Sequence, residues 1–98
     1  DITRCGGATG ILAVAALCEA FELPLSTHCA PHLHAHVGCA LRPLRHVEYF
    51  HDHARIEQLL LDRSLQPRQG ELRPDPDVPG LGVAIVPEAA RFRVSALR

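Results

Sequence analysis

Between Ile11 and Glu22 the apolar positions recur at intervals of three and four. Ile11, Val14, Ala15, Cys18 and Phe21 form the repeat, with Glu19 and Glu22 on the wet edge, and this spacing predicts an amphipathic helix. Gly6-Gly7 ahead of it permits a tight turn with positive φ, and Thr9 is the candidate N-cap. Leu23–Thr27 is short, apolar and bounded by Pro24, so it reads as a buried strand. Pro31 suits a first helical turn. From there Leu33, Val37, Ala40 and Leu41 give one apolar face, predicting a second helix to about Leu41, stopped by Arg42-Pro43. Leu44–Phe50 is a second strand. His51–Asp62 carries Ile56, Leu59 and Leu60 at helical spacing and predicts a third helix.

Beyond Asp62 the texture changes. Pro67, Gly70, Pro74, Pro76, Pro79, Gly80 and Gly82 fall close together. They mark a turn-rich excursion with a short hairpin around Gln69-Gly70. Val83–Val86 is an edge-strand candidate, Glu88–Phe92 one helical turn, and the last residues are expected to fray. Residues 1–62 therefore read as βα units and residues 63–98 as a turn-rich C-terminal segment. Repeated βα units imply parallel strands and an α/β fold. Two strands cannot close a (β/α)₈ barrel, which takes about 250 residues. The chain is expected to be the C-terminal part of a longer protein.

Composition narrows the function. Ninety-eight residues allow one domain, and the apolar fraction of 47% is ordinary for a globular chain. No apolar run approaches the roughly 20 residues of a membrane helix, and no signal peptide is visible. The net charge of -1, with dispersed acid and Arg, argues against nucleic acid or a membrane as partner. Every basic side chain is Arg, so a lysine-dependent mechanism has no residue in this stretch. Cys5, Cys18, Cys29 and Cys39 show no Cys-x-x-Cys spacing. They are expected to be free, mostly buried thiols of a reducing cytoplasm.

Three residues carry the candidate chemistry: Asp1, His28 and Glu48. Asp1 leads into the turn Cys5-Gly6-Gly7, His28 ends Leu23–Thr27, and Glu48 lies late in the second strand. Placed on successive parallel strand ends, they would share one site. A carboxylate accepting from one imidazole nitrogen fixes the tautomer and leaves the other nitrogen as a base. The structural alternative is a turn residue, a capping imidazole and a surface carboxylate. His32 and His36, four apart, share a helix face and could ligate a transition metal. His32, one turn after His28, and Cys29 beside it are candidates for substrate contact. His51 and His53 read as helix-start residues, and Arg45 and Arg55 as surface cations.

These residues also carry a resemblance. Asp1-Ile2-Thr3-Arg4-Cys5-Gly6-Gly7-Ala8-Thr9-Gly10, then Leu23-Pro24-Leu25-Ser26-Thr27-His28, then Val47-Glu48-Tyr49, resemble the last third of the mandelate racemase group of the enolase superfamily. Leu72-Arg73-Pro74-Asp75 and Pro79-Gly80-Leu81-Gly82 are similar to that family's return segment. The resemblance implies a capping domain joined to a TIM-type (β/α)₇β barrel, of which this chain is a partial barrel made of the last βα units and the C-terminal return segment, with Asp1, His28 and Glu48 ending the sixth, seventh and eighth strands. It implies that Asp1 and His28 form the dyad that removes the proton beside a substrate carboxylate, while Glu48 hydrogen-bonds the enediolate oxygen. It implies a Mg²⁺ cofactor whose ligands lie upstream of residue 1, none of them in this stretch.

The implied function is the C-terminal part of a Mg²⁺-dependent enzyme acting on a small-molecule carboxylate. A sugar-acid (aldonate) dehydratase, a lyase, is preferred over a racemase or epimerase. The full-length protein is expected to be a cytoplasmic homo-oligomer without nucleic-acid or membrane partners. Two alternatives stand beside this reading. One is a non-catalytic piece that docks with other barrel strands; the other is a small His-rich metal-binding module.

Overall fold

Two very short strands set the frame, and they pair in parallel. In the computed structural model, which describes residues 1–94, β1 is Leu25–Ser26 and β2 is Leu44–His46. Leu25 stands opposite Leu44 and Ser26 opposite His46, with a bulge between the two pairs. The Leu25 amide donates to the Pro43 carbonyl and the Thr27 amide to His46, both at 3.0 Å. Parallel strands in sequence need a crossover, and α2 (Pro31–Gly38) supplies it. The predicted βα order holds: α1 (Gly7–Ala20), β1, α2, β2, α3 (His51–Leu60). The chain continues into a return segment that ends in a 3₁₀ helix, Pro87–Phe92.

The strands are shorter than the apolar pattern predicts. The second strand stops at His46 rather than Phe50, because β1 offers only two residues to pair against. Val83–Val86 forms no strand; a single antiparallel bridge joins Ile85 to Leu61. The hairpin at Gln69-Gly70 is present. Arg68 and Glu71 exchange both backbone hydrogen bonds, and the two residues between them have φ of 52° and 80°. The fraying expected at the C-terminus lies outside the described residues.

Helix α1 begins earlier than Thr9 would dictate. Its N-cap is Gly6 at φ 93°, followed by Gly7 at φ 72°, a left-handed entry that glycine takes without strain. Gly10 serves packing: a Cβ there would lie 1.7 Å from the Cys5 carbonyl oxygen. The first turn of α1 therefore presses against the Asp1–Cys5 turn, in which the amides of Arg4 and Cys5 both donate to the Asp1 carbonyl.

Ile2, Ile11, Ala15 and Leu41 form the buried cluster, with Leu25, Leu33, Val37 and Leu44 packed on it. The predicted buried face of α1 is only partly so. Ile11 and Ala15 are inside, whereas Val14 and Phe21 are exposed, Phe21 at 73%. A two-stranded sheet is too narrow to cover more than one stripe of the helix. The four cysteines are free, but none is buried: Cys5, Cys18 and Cys29 are half-buried and Cys39 is exposed. The same narrow sheet explains the correction for Cys18, whose helix lies half outside the cluster. No helix among the described residues is long and apolar enough to cross a membrane.

Candidate active site

His28 and Glu48 each lie two residues past the end of a strand, His28 after β1 and Glu48 after β2. Parallel pairing brings both to the same edge, and the Asp1 turn meets them there. Asp1 Oδ2 lies 2.9 Å from His28 Nδ1. The other carboxylate oxygen, Oδ1, accepts from the Thr3 amide at 2.9 Å and the Thr3 hydroxyl at 2.8 Å. The Arg4 guanidinium stands 3.5 Å from Oδ2. All these partners are donors, and the Asp1 side chain is only 10% exposed. That environment suits an ionised, acceptor-only carboxylate. His28 Nδ1 therefore carries the proton, and Nε2 presents a lone pair.

His28 Nε2 faces the Cys29 thiol at 3.3 Å. The Cys29 amide donates to Glu48 Oε2 at 2.7 Å. That backbone hydrogen bond, helped by the thiol and by the nearby His28 and His53 rings, holds the Glu48 carboxyl below its ordinary range. The Cys29 thiol is pushed upward, first by its partial burial and then by the Glu48 carboxylate.

The backbone here is under strain. Cys29 and Ala30 are consecutive left-handed residues, at φ 51° and 39°, without glycine's freedom. Such conformations cost on the order of 1–3 kcal/mol each and persist only where the surroundings hold them. Two devices do so. Pro31 opens α2 immediately afterwards, and His34 clamps the turn from below. His34 is fully buried. Its Nδ1 donates to the carbonyl of Cys29 at 2.7 Å and to that of Ala30 at 3.1 Å. Its Nε2 accepts from the Ile2 amide at 3.0 Å. One neutral imidazole thus ties the residue after Asp1 to the residue after His28. No motif marks a histidine one turn inside a helix, and the only signal for His34 along the chain is its spacing of three from Pro31.

His32 is placed elsewhere. It is buried, its Nε2 donates to the Leu81 carbonyl at 2.7 Å, and it anchors the return segment rather than facing the dyad. His32 and His36 do meet, with ring centroids 5.3 Å apart and planes tilted by 46°, but the Leu81 bond takes one nitrogen of the candidate ligand pair. Both line a cleft of about 370 Å³ against Arg68, Glu71 and Val78. No member of the dyad borders that cleft. His51 and His53 occupy the first turn of α3, and Arg45 and Arg55 are exposed.

A parallel βα frame with an imidazole–carboxylate pair beyond the strand ends is the arrangement of β/α proteins whose polar groups gather at the carboxyl ends of their strands. Over residues 1–89 the chain matches the Enolase C-terminal domain-like family, and it belongs to that family. It is similar to a mandelate racemase/muconate lactonizing enzyme-like protein from Rubrobacter xylanophilus, with 54% identity and a TM-score of 0.87. That match covers 91% of this chain and 25% of the other. A member of the enolase superfamily from Agrobacterium tumefaciens is 25% identical with a TM-score of 0.64, over 87% of this chain and 23% of that one. The chain thus spans about a quarter of the length of these relatives. No curated protein matches it.

Enolase-superfamily homologues are enzymes and generally use Mg²⁺. Among the described residues, the group of acidic, imidazole or thiol side chains close enough to share a cation is His28, Cys29 and Glu48. Mg²⁺ takes oxygen ligands in near-octahedral geometry, and this group offers a single carboxylate. The set does not fit Mg²⁺.

Proposed function

We propose that this chain supplies the acid–base residues of an enolase-superfamily enzyme that removes the α-proton of a small-molecule carboxylate. The observation that carries the reading is the 2.9 Å contact between His28 Nδ1 and Asp1 Oδ2, which leaves His28 Nε2 at the strand edge with only the Cys29 thiol beside it. In this reading Nε2 takes the α-proton, and the buried Asp1 carboxylate stabilises the imidazolium that results. Glu48, across the Cys29 turn, hydrogen-bonds the substrate oxygen on which charge develops. That role needs a protonated carboxyl, whereas the Cys29 amide favours the ionised form. A substrate carboxylate arriving beside Glu48 raises its pKa in the required direction.

The preferred reaction is dehydration of a sugar acid (an aldonate), in which the same His28 returns its proton to the departing β-hydroxyl. Racemisation or epimerisation, which needs a second base on the opposite face of the substrate, is the second reading. Exposed Leu17, Phe21, Ile85 and Phe92 favour a chain that packs against further barrel elements, which agrees with its share of its relatives' length. The test is His28→Asn in the enzyme that carries this chain. Exchange of the substrate α-proton in deuterated water is expected to be abolished; undiminished exchange would overturn the assignment.

A further inference from the structure

The donor set that does not suit Mg²⁺ suits a different ion. We propose that His28, Cys29 and Glu48 form a binding site for a thiophilic divalent cation of the Zn²⁺ type. Occupancy of that site caps the His28 nitrogen assigned above to proton abstraction.

Three observations support the site. First, one ligand atom from each residue lies within 4.8 Å of the other two. In a tetrahedral zinc site, with Zn–S near 2.3 Å and Zn–N near 2.0 Å, ligand atoms sit about 3.5 Å apart. The Cys29 Sγ to His28 Nε2 separation is already 3.3 Å. Glu48 is exposed, so its free Oε1 can close the remaining distance without disturbing the core.

Second, the outer partners are those that metal-binding histidines use. His28 donates through Nδ1 to the Asp1 carboxylate, which fixes the tautomer and aims Nε2 outward. Glu48 is held in turn by the Cys29 amide.

Third, the chemistry discriminates. One imidazole, one thiolate and one carboxylate favour Zn²⁺ and Co²⁺ over Mg²⁺. The fourth position stays open to water or to a carboxylate ligand. On binding, the Cys29 S–H bond breaks, its proton leaves to solvent, and a sulfur–metal bond forms with no change of oxidation state. His32 and His36 do not compete for this role, because among the described residues no third acidic, imidazole or thiol ligand stands with them.

Cation binding stands on this geometry alone; its inhibitory consequence rests on the proposed reaction. The test is a titration with Co²⁺ of the enzyme that carries this chain, in excess Mg²⁺, followed by displacement with Zn²⁺. The expected result is one equivalent of Co²⁺ bound, with a thiolate-to-cobalt charge-transfer band and the visible absorption of a tetrahedral ion. Cys29→Ser removes the charge-transfer band, and Cys39→Ser leaves it intact. His28→Asn and Glu48→Gln keep all four thiols and weaken binding by about tenfold or more, as does the outer-partner variant Asp1→Asn. Circular dichroism confirms that each variant keeps its helices.

Absence of a band at micromolar Co²⁺, a band that survives Cys29→Ser, or one that disappears with Cys39→Ser would overturn the site. Co²⁺ binding by the chain with no α-proton exchange by the enzyme would refute the proposed reaction and leave this site standing. Exchange without Co²⁺ binding would do the reverse.

Discussion

His34→Leu tests whether one buried imidazole holds the dyad together. Leucine fills similar space but removes both ring nitrogens. The Ile2 amide loses its acceptor, and the Cys29 carbonyl loses its donor at 2.7 Å. The Ala30 carbonyl keeps the His34 backbone amide at 3.0 Å and is spared. Each orphaned buried group costs about 1–3 kcal/mol, so the loss is about 2–6 kcal/mol. That is a large part of the 5–15 kcal/mol typical of a small domain. With an m-value of about 1–3 kcal/mol per molar urea, the midpoint falls by roughly 1 M or more. Urea unfolding followed by circular dichroism reads this directly. The strained Cys29–Ala30 turn is released as well, so faster hydrogen exchange is expected at the Ile2 and Cys29 amides, together with a weakened His28 Nδ1–H signal in ¹⁵N NMR. A variant within about 0.5 kcal/mol of the parent, the scatter of ordinary surface substitutions, and with the His28 signal unchanged, would refute the clamp.

Gly10→Ala is expected to destabilise the chain, although alanine is the better helix former by about 1 kcal/mol. The new Cβ meets the Cys5 carbonyl at 1.7 Å, so the Asp1–Cys5 turn must move, at a cost of about 1–3 kcal/mol. A urea midpoint at or above that of the parent would show that the close approach is absent. Glu57 gives the pH test. Partial burial raises its pKa above 4.5 against the opposing pull of the His32 amide and the His32 and His53 rings. A raised folded-state pKa means that its contribution is fully present below the unfolded value and is lost as pH rises through the folded one. Glu57→Gln should therefore match the parent at pH 4 and exceed it in thermal midpoint at pH 7; a pH-independent difference would contradict this.

Much of the frame was readable from the chain. Periodicities of three and four located all three helices, Pro31 fixed the start of α2, and the Gln69-Gly70 turn appeared where two residues with positive φ permit it. Boundaries were less readable. Apolar residues run on to Phe50, but strand length is set by the partner, and β1 has only two residues to pair. The same narrow sheet leaves Val14 and Phe21 outside, although their spacing matches that of buried Ile11.

By itself the sequence determined the βα order, and with it the placing of Asp1, His28 and Glu48 at successive turns of one edge, because parallel strands joined by helices leave no other side for those residues. Tertiary structure alone decided what those turns do. Whether His28 meets Asp1 at 2.9 Å depends on Gly10 letting α1 approach the Cys5 carbonyl, and on His34 joining Ile2 to Cys29. The first is a close approach that appears only once the Asp1–Cys5 turn has folded against α1, and the second joins residues 32 positions apart. No local pattern encodes them, because a hydrogen bond across 32 positions exists only once the backbone has folded to bring its ends together.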